Sequence, residues 1–186
     1  MRYLLLPFIA ILALASPAEA ESPPATPTQI VTVAAQSRLD ISGHDSVLGN
    51  HTLTFDRWSA RIDPFASPPS IVVDIDLTSL RSNESLVETT VKKHLLDVAN
   101  HPHATLRGTL APTATPGVIV IDATADIRGT SGPLRFTGTL RPEGAGYHFD
   151  AAFDMSRSAF GLTYTPVEPF LDDNFHLTVS AVAVRE

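Results

Sequence analysis

No cysteine occurs among the 186 residues. Its absence excludes disulfides, zinc–thiolate sites, iron–sulfur clusters, c-type haem attachment, acylation at a lipoprotein cysteine and any thiol nucleophile. Charge is also scarce, at 18% of residues where roughly 25% is usual for a globular domain. What charge there is leans acidic: 13 Lys and Arg stand against 20 Asp and Glu, a formal net charge of −7. With a pI near 5.4, the chain lacks the basic surface that neutralises phosphates, so nucleic acid is not an expected partner. No Gly-x-Ser-x-Gly elbow, Walker loop or dinucleotide fingerprint occurs, so no cofactor and no enzyme chemistry are expected from motifs.

The one long apolar run sits at the N-terminus. Met1-Arg2 is followed by a nearly unbroken apolar stretch from Tyr3 to Leu14, then by Ala18-Glu19-Ala20. A positive start, a short apolar segment and small residues at the cleavage positions have the layout of a secretory signal peptide. The run is too short to span a bilayer, which takes about 20 residues. Residues 1–20 are therefore expected to be removed, leaving a periplasmic or secreted protein with no membrane span. Residues 21–28 hold three prolines and read as a tether. The folded domain is expected over residues 29–186.

Within that domain the dominant pattern is alternation with period two, the mark of strands with one buried face. Ile119, Ile121, Ala123, Ala125 and Ile127 alternate with Asp122, Thr124 and Asp126, and Leu134, Phe136, Gly138 and Leu140 follow. Thr130–Pro133 between them reads as a turn. Tyr147, Phe149, Ala151, Phe153 and Met155 form another inward row, as do Phe175, Leu177, Val179, Ala181 and Ala183. Earlier rows are Val31, Val33, Ala35, Leu39 and Ile41; Ile71, Val73, Ile75 and Leu77; and Ala104, Leu106, Gly108 and Leu110. One strand changes phase, from Leu53 and Phe55 to Trp58, Ala60 and Ile62, which predicts a bulge near Asp56-Arg57. The total is eight strands.

A single segment breaks the pattern. Val87, Val91 and Leu95 recur every four residues between Asn83 and Asp97, with Ser82 or Asn83 as cap and Pro102 beyond. These predict one amphipathic helix, between strands three and four, lying across a barrel end. The expected fold is all-β: an eight-stranded antiparallel barrel carrying one helix. At that strand number the interior is filled by side chains or holds one small ligand. Small inward residues (Ala123, Ala125, Gly138, Ala151, Ala181, Ala183) either leave room for a ligand or mark close packing.

Four stretches carry a family likeness: Ile75-Asp-Leu-Thr-Ser-Leu80, the helix end and following strand from Lys93 to Thr105, Ala125 to Leu134 with its Arg-Gly step, and Arg157-Ser-Ala-Phe-Gly161. In this order the chain resembles the YceI-like, polyisoprenoid-binding, lipocalin-like proteins over about residues 35–184. The resemblance implies an extended barrel around an elongated apolar pocket. It also implies binding of a long-chain apolar small molecule (isoprenoid, quinone-like or fatty chain) in the periplasm.

Phe55, Trp58, Phe136, Phe149, Phe153 and Phe160 are the candidate wall residues. Arg157, in phase with the inward face, would meet either a ligand head group or the carboxylate of Asp172 or Asp173. Two other readings stand beside the carrier. One is a histidine-dependent metal protein or small exported enzyme, drawing on His94, His101, His103, His44 and His51. The other is an exported structural or interaction domain with a filled core. The oligomeric state, a dimer included, is left open.

Overall fold

The computed structural model describes residues 29–32 and 34–185. The expected signal segment and tether, and Val33 of the first inward row, lie outside the described residues. Strands dominate: β1 (Ile30–Thr32), β2 (Arg38–Asp45), β3 (Gly49–Phe55), β4 (Trp58–Asp63), β5 (Ser70–Asp76), β6 (Leu80–Ser82), β7 (His103–Pro112), β8 (Val118–Ile127), β9 (Thr130–Glu143), β10 (Gly146–Ser156) and β11 (Asn174–Arg185). All pair antiparallel. β1 bonds both β4 and β11, so the sheet closes on itself.

The eleven segments are eight long strands, three of them broken. β1 and β2 both pair with β11, at opposite ends of it. β4 pairs with β1, and β3 with β2; β5 pairs with β4, and β6 with β3. The breaks fall at Ala34–Gln36, at Asp56-Arg57 and at Leu77–Ser79, and form one crease across three neighbouring strands. The phase change seen in the sequence at Asp56-Arg57 is the middle of it. Backbone and side chain staple the crease together: Ser79 Oγ accepts from the Arg57 N–H at 3.0 Å, and Arg57 O accepts from the Asp76 N–H at 3.0 Å. The Arg57 guanidinium donates to Asp76 and to Thr78, each at 2.8 Å. Such polar ties replace the ladder bonds that the breaks interrupt.

Two local expectations are corrected. The β8–β9 turn is Arg128-Gly129, not Thr130–Pro133, since Ile127 already pairs with Thr130 and the latter residues lie in β9. Both turn residues have positive φ, 52° and 72°, as a two-residue hairpin turn of the strand-twist-matched kind requires. In β1, Ile30 and Thr32 face the interior rather than Val31, because the one-turn helix at Ala34–Gln36 does not preserve strand parity across the break.

The helix is also shorter than the sequence pattern predicts. α1 spans Ser85–Thr90 and widens into a π turn over Val91–Leu95, where the Leu96 N–H reaches Val91 O at 2.9 Å. The wide turn lets two consecutive residues, Leu95 and Leu96, both enter the core. The N-cap is Glu84, which makes no side-chain cap bond, rather than Ser82 or Asn83; Ser82 Oγ accepts from the Glu84 N–H and Glu88 accepts from the Ser82 N–H at 3.0 Å, which ties the helix start to β6. At the other end Arg128 donates to Leu95 O at 3.1 Å and Gly161 O at 3.3 Å, a cation set on helix carbonyls. Among the described residues no helix is long and apolar enough to cross a membrane.

The main core cluster occupies the helix end of the barrel. Leu77, Leu80, Leu96, Met155, Phe160, Leu162 and Phe175 pack there together. Opposite, where residues 64–69, 113–117 and 144–145 connect the strands, the inward side chains of Ile62, Ile71, Leu110, Ile119 and Leu140 are only partly buried.

Candidate ligand-binding cavity

The contrast between the two ends defines a cavity of about 440 Å³. It runs from Leu95, Leu162 and Phe175 beneath the helix to a rim of Ile30, Pro64, Pro69 and Pro112 at the other end. The volume lies within the range of small-molecule sites, roughly 300–1,000 Å³. Phe175 and Ala183, eight positions apart on β11, line its two ends. At about 3.3 Å per residue and a strand tilt near 40°, that is a depth of about 20 Å. The space is therefore a narrow column.

Its chemistry is uniform. Thr32, Thr105, Trp58 and Tyr147 bring the only polar side-chain atoms among the lining residues, and no charged residue lines it. Tyr147 stands toward the open end, where Arg185 donates to its hydroxyl at 2.9 Å and lies 5.8 Å over its ring. An uncharged wall accepts hydrocarbon and rejects an unpaired ion.

Of the seven residues singled out from the sequence, Phe55, Trp58, Phe136, Phe149 and Phe153 line the cavity. Phe160 and Arg157 do not line it and sit in packed positions at the helix end. β10 ends at Ser156, and Arg157 begins a helical turn with φ −68° and ψ −37°, so strand parity no longer tells where either points. Phe160 fills a wedge. The β9–β10 ladder stops at Ala151 and Gly138, while the flanking ladders continue towards the helix end. Phe160 lies against Gly132 in that gap, where a Cβ would come within 3.0 Å of its ring. Higher in the wedge, Phe136 and Phe153 stack with ring centroids 4.0 Å apart.

Arg157 is almost wholly buried and has every guanidinium N–H matched. Nη1 donates to Leu162 O and Glu168 Oε1, Nη2 to Glu168 Oε2 and Leu171 O, and Nε to Asp172 O, all between 2.9 and 3.1 Å. Its ionic partner is thus Glu168; Asp172 contributes only its backbone carbonyl. The pairing with Arg157, joined by the Tyr164 N–H, holds the Glu168 carboxyl below its ordinary pKa. This node ties residues 162–172 to the barrel end.

Both readings of the small inward residues hold, at different positions. Ala125, Ala181 and Ala183 line the cavity and widen it. Gly138 instead lies under the Phe149 ring, 2.2 Å from where a Cβ would stand, and Gly108 faces Ala123 across β7 and β8 at 2.5 Å. Much of the wall is aliphatic, from Leu39, Ile41 and Leu53 to Ile71, Ile119 and Leu140. These residues and Tyr147 are not among the candidate wall residues, although the alternation puts most of them on the inner face.

The histidines are dispersed. His103 bonds Asp74 at 3.0 Å, His44 bonds Asn50 at 3.0 Å, and His94 stacks on Tyr164 at 4.2 Å. Among the described residues no three His, Asp or Glu side chains converge as a metal-binding set.

The sequence profile of the YceI-like domain matches residues 31–183. The chain belongs to the YceI-like family. Its fold is similar to that of BcnA from Burkholderia cenocepacia, with TM-score 0.73 and 20% identity over 81% of this chain and 98% of that one. It is also similar to a polyisoprenoid binding domain from Saccharophagus degradans implicated in plant cell wall breakdown (TM-score 0.69, 14% identity, 85% and 98% covered). A third similar fold is the YceI protein of Campylobacter jejuni (TM-score 0.57, 17% identity, 72% and 84% covered). No curated protein matches the chain by sequence. This YceI-like barrel is closed, helix-capped at one end and hollow toward the other.

Proposed function

We propose that this YceI-like protein is an exported carrier or scavenger that holds one long, uncharged apolar chain in its barrel. The observation that carries the reading is the 440 Å³ column with no charged lining residue. Each methylene taken from water contributes about 0.8 kcal/mol, so a column about 20 Å deep gains affinity from chain length and needs little from a head group. An isoprenoid, quinone-like or fatty chain would enter tail first, keeping its polar end at the rim near Tyr147 and Arg185. The polyisoprenoid-binding domain among the similar folds supports this class. The signal-like residues 1–20 support export to the periplasm or beyond.

Organic extraction of the purified protein followed by mass spectrometry tests the proposal. The expected result is a stoichiometric long-chain lipid. A neutral fluorescent probe such as N-phenyl-1-naphthylamine should then bind the extracted protein and be displaced by that lipid. An empty extract together with no probe binding would refute the reading and favour a barrel that serves as a structural domain.

A further inference from the structure

A second hollow lies outside the barrel column, at the helix end. It has a volume of about 180 Å³ and is framed by the β2–β3 hairpin, α1 with its π turn, and the 164–171 segment. Leu53, Val91, Leu95 and Phe175 line both spaces and form the wall between them. Its outer rim carries Leu86 and Leu48, which are 70% and 57% exposed. Apolar side chains left so open beside a concave site are unusual on a lightly charged surface.

The chemistry at its base is specific. His51 lines the hollow and is 7% exposed. Its Nδ1 lies 2.9 Å from Glu84 Oε1. A carboxylate only accepts, so Nδ1 carries the proton, and in the neutral ring Nε2 is left as a lone pair. Nε2 is buried and has no hydrogen-bond partner among the described residues. A buried acceptor without a donor is costly, and a donor that reaches it recovers that cost. Asp45 also lines the hollow, 8% exposed, and its carboxyl is held below the ordinary range by the N–H groups of Leu48 and Val47. No lysine or arginine lines the hollow. A lone-pair acceptor beside a buried carboxylate repels an anionic group, and the surrounding leucines and valines disfavour any ion.

We propose that this hollow is a second ligand site that takes the hydroxyl end of a small neutral amphiphile, an alcohol or phenol, with the O–H donated to His51 Nε2 and the apolar part against Leu86 and Leu48. The site does not depend on what fills the barrel. A histidine-resolved readout separates the two, because the barrel column contains no histidine.

The test is titration of the purified protein, with nitrogen-15 in its histidines, using 4-propylphenol, propylbenzene and 3-phenylpropanoate. The expected result is a saturable shift of the His51 Nε2 resonance with 4-propylphenol alone. That ligand should bind the site about tenfold more tightly than propylbenzene, the value of one hydrogen bond. His51→Phe keeps a ring and removes the acceptor, and should abolish the preference. Leu86→Ala, at an exposed rim position, should weaken 4-propylphenol about threefold. If His51→Phe does not fold, the wild-type resonances and the Leu86 variant still decide. An Nε2 resonance that stays fixed at saturating phenol, or equal or better binding of propylbenzene or of the carboxylate, overturns the proposal.

Discussion

Glu168→Gln separates a structural node from a ligand site, because it keeps shape and removes charge. Arg157 then loses its ion-pair partner, and one Nη N–H faces an amide NH2 instead of an oxygen. Breaking a fully buried ion pair costs about 3–5 kcal/mol. The Arg157 side chain is 4% exposed but that of Glu168 is 35% exposed, so water reaches one side and the loss falls to about 2 kcal/mol. For a domain of this size that lowers Tm by roughly 4–8 °C. Arg157→Met should cost more, because it strips donors from the carbonyls of Leu162, Leu171 and Asp172 as well. In the Arg157→Met background, Glu168→Gln should cost much less than it does alone, a coupling read from a double-mutant cycle by urea denaturation. Neither Arg157 nor Glu168 lines the barrel cavity, so affinity for a neutral probe, measured well below Tm, should stay within about twofold of wild type. A Tm unchanged by Glu168→Gln, or additive losses in the cycle, would refute the buried-pair argument. A tenfold loss of probe affinity in a folded variant would return Arg157 to the ligand site.

Three further outcomes follow from the same geometry. Ala181→Phe puts a ring into the column outside the core cluster and should reduce probe affinity of the folded protein at least tenfold, about 1.4 kcal/mol; retained affinity would place the ligand elsewhere. Phe160→Ala empties the wedge beside Gly132 and should destabilise by about 3–5 kcal/mol, seen in denaturation, while the folded fraction still binds probe. Acid should weaken the fold progressively, and two of the carboxylates illustrate it. Asp76, bonded chiefly by Thr78 and also by Arg57, has its pKa pulled down to about 2, and Glu168 is also depressed. A depressed carboxylate adds stability above its unfolded pKa and loses it as pH falls through the folded value. The Glu168 contribution should therefore fade below the ordinary glutamate range, and that of Asp76 only as pH approaches 2. Thermal melts of Asp76→Asn across pH 7 to 2 should converge on wild type at the acid end; a constant difference would count against the linkage.

Alternation made the eight strands legible because barrel closure leaves each strand one wet face and one dry face. It failed wherever the backbone left the extended state. The parity of β1 is lost across the turn at Ala34–Gln36, and that of β10 ends at Ser156, so alternation does not tell that Arg157 and Phe160 lie off the cavity wall. The Thr130–Pro133 turn was suggested by residue type, as Ser, Gly and Pro are usual turn formers. The real turn uses Arg128 at positive φ, a conformation that its bonds to Leu95 O and Gly161 O help to hold. Those carbonyls lie more than thirty residues away, and no local pattern contains them. The π turn is likewise a tertiary outcome. Two adjacent leucines must both be buried, and a regular helix turns the second away.

The helix end of the barrel is packed more closely than the rim, and this is what makes a hollow fold tenable without disulfides. At about 24 cal/mol per Å³, an unfilled apolar space of 440 Å³ forgoes about 10 kcal/mol of packing, comparable to the whole stability of a typical domain. That loss has to be offset elsewhere. The helix end does so with a close-packed cluster around Leu77, Leu80, Phe160 and Leu162, a fully matched Arg157 and an Arg128 strut to the helix. The crease from Asp56 to Ser79 is stapled by side chains rather than left as frayed ladder. The same cluster also walls the inner end of the column, while toward the rim small residues such as Ala181 and Ala183 keep the bore open. A protein arranged in this way gains most when the column is occupied: a ligand at a hundred times its Kd adds about 2.7 kcal/mol. The selective burden then falls on the width and dryness of the column, which the alternating wall supplies along its whole depth.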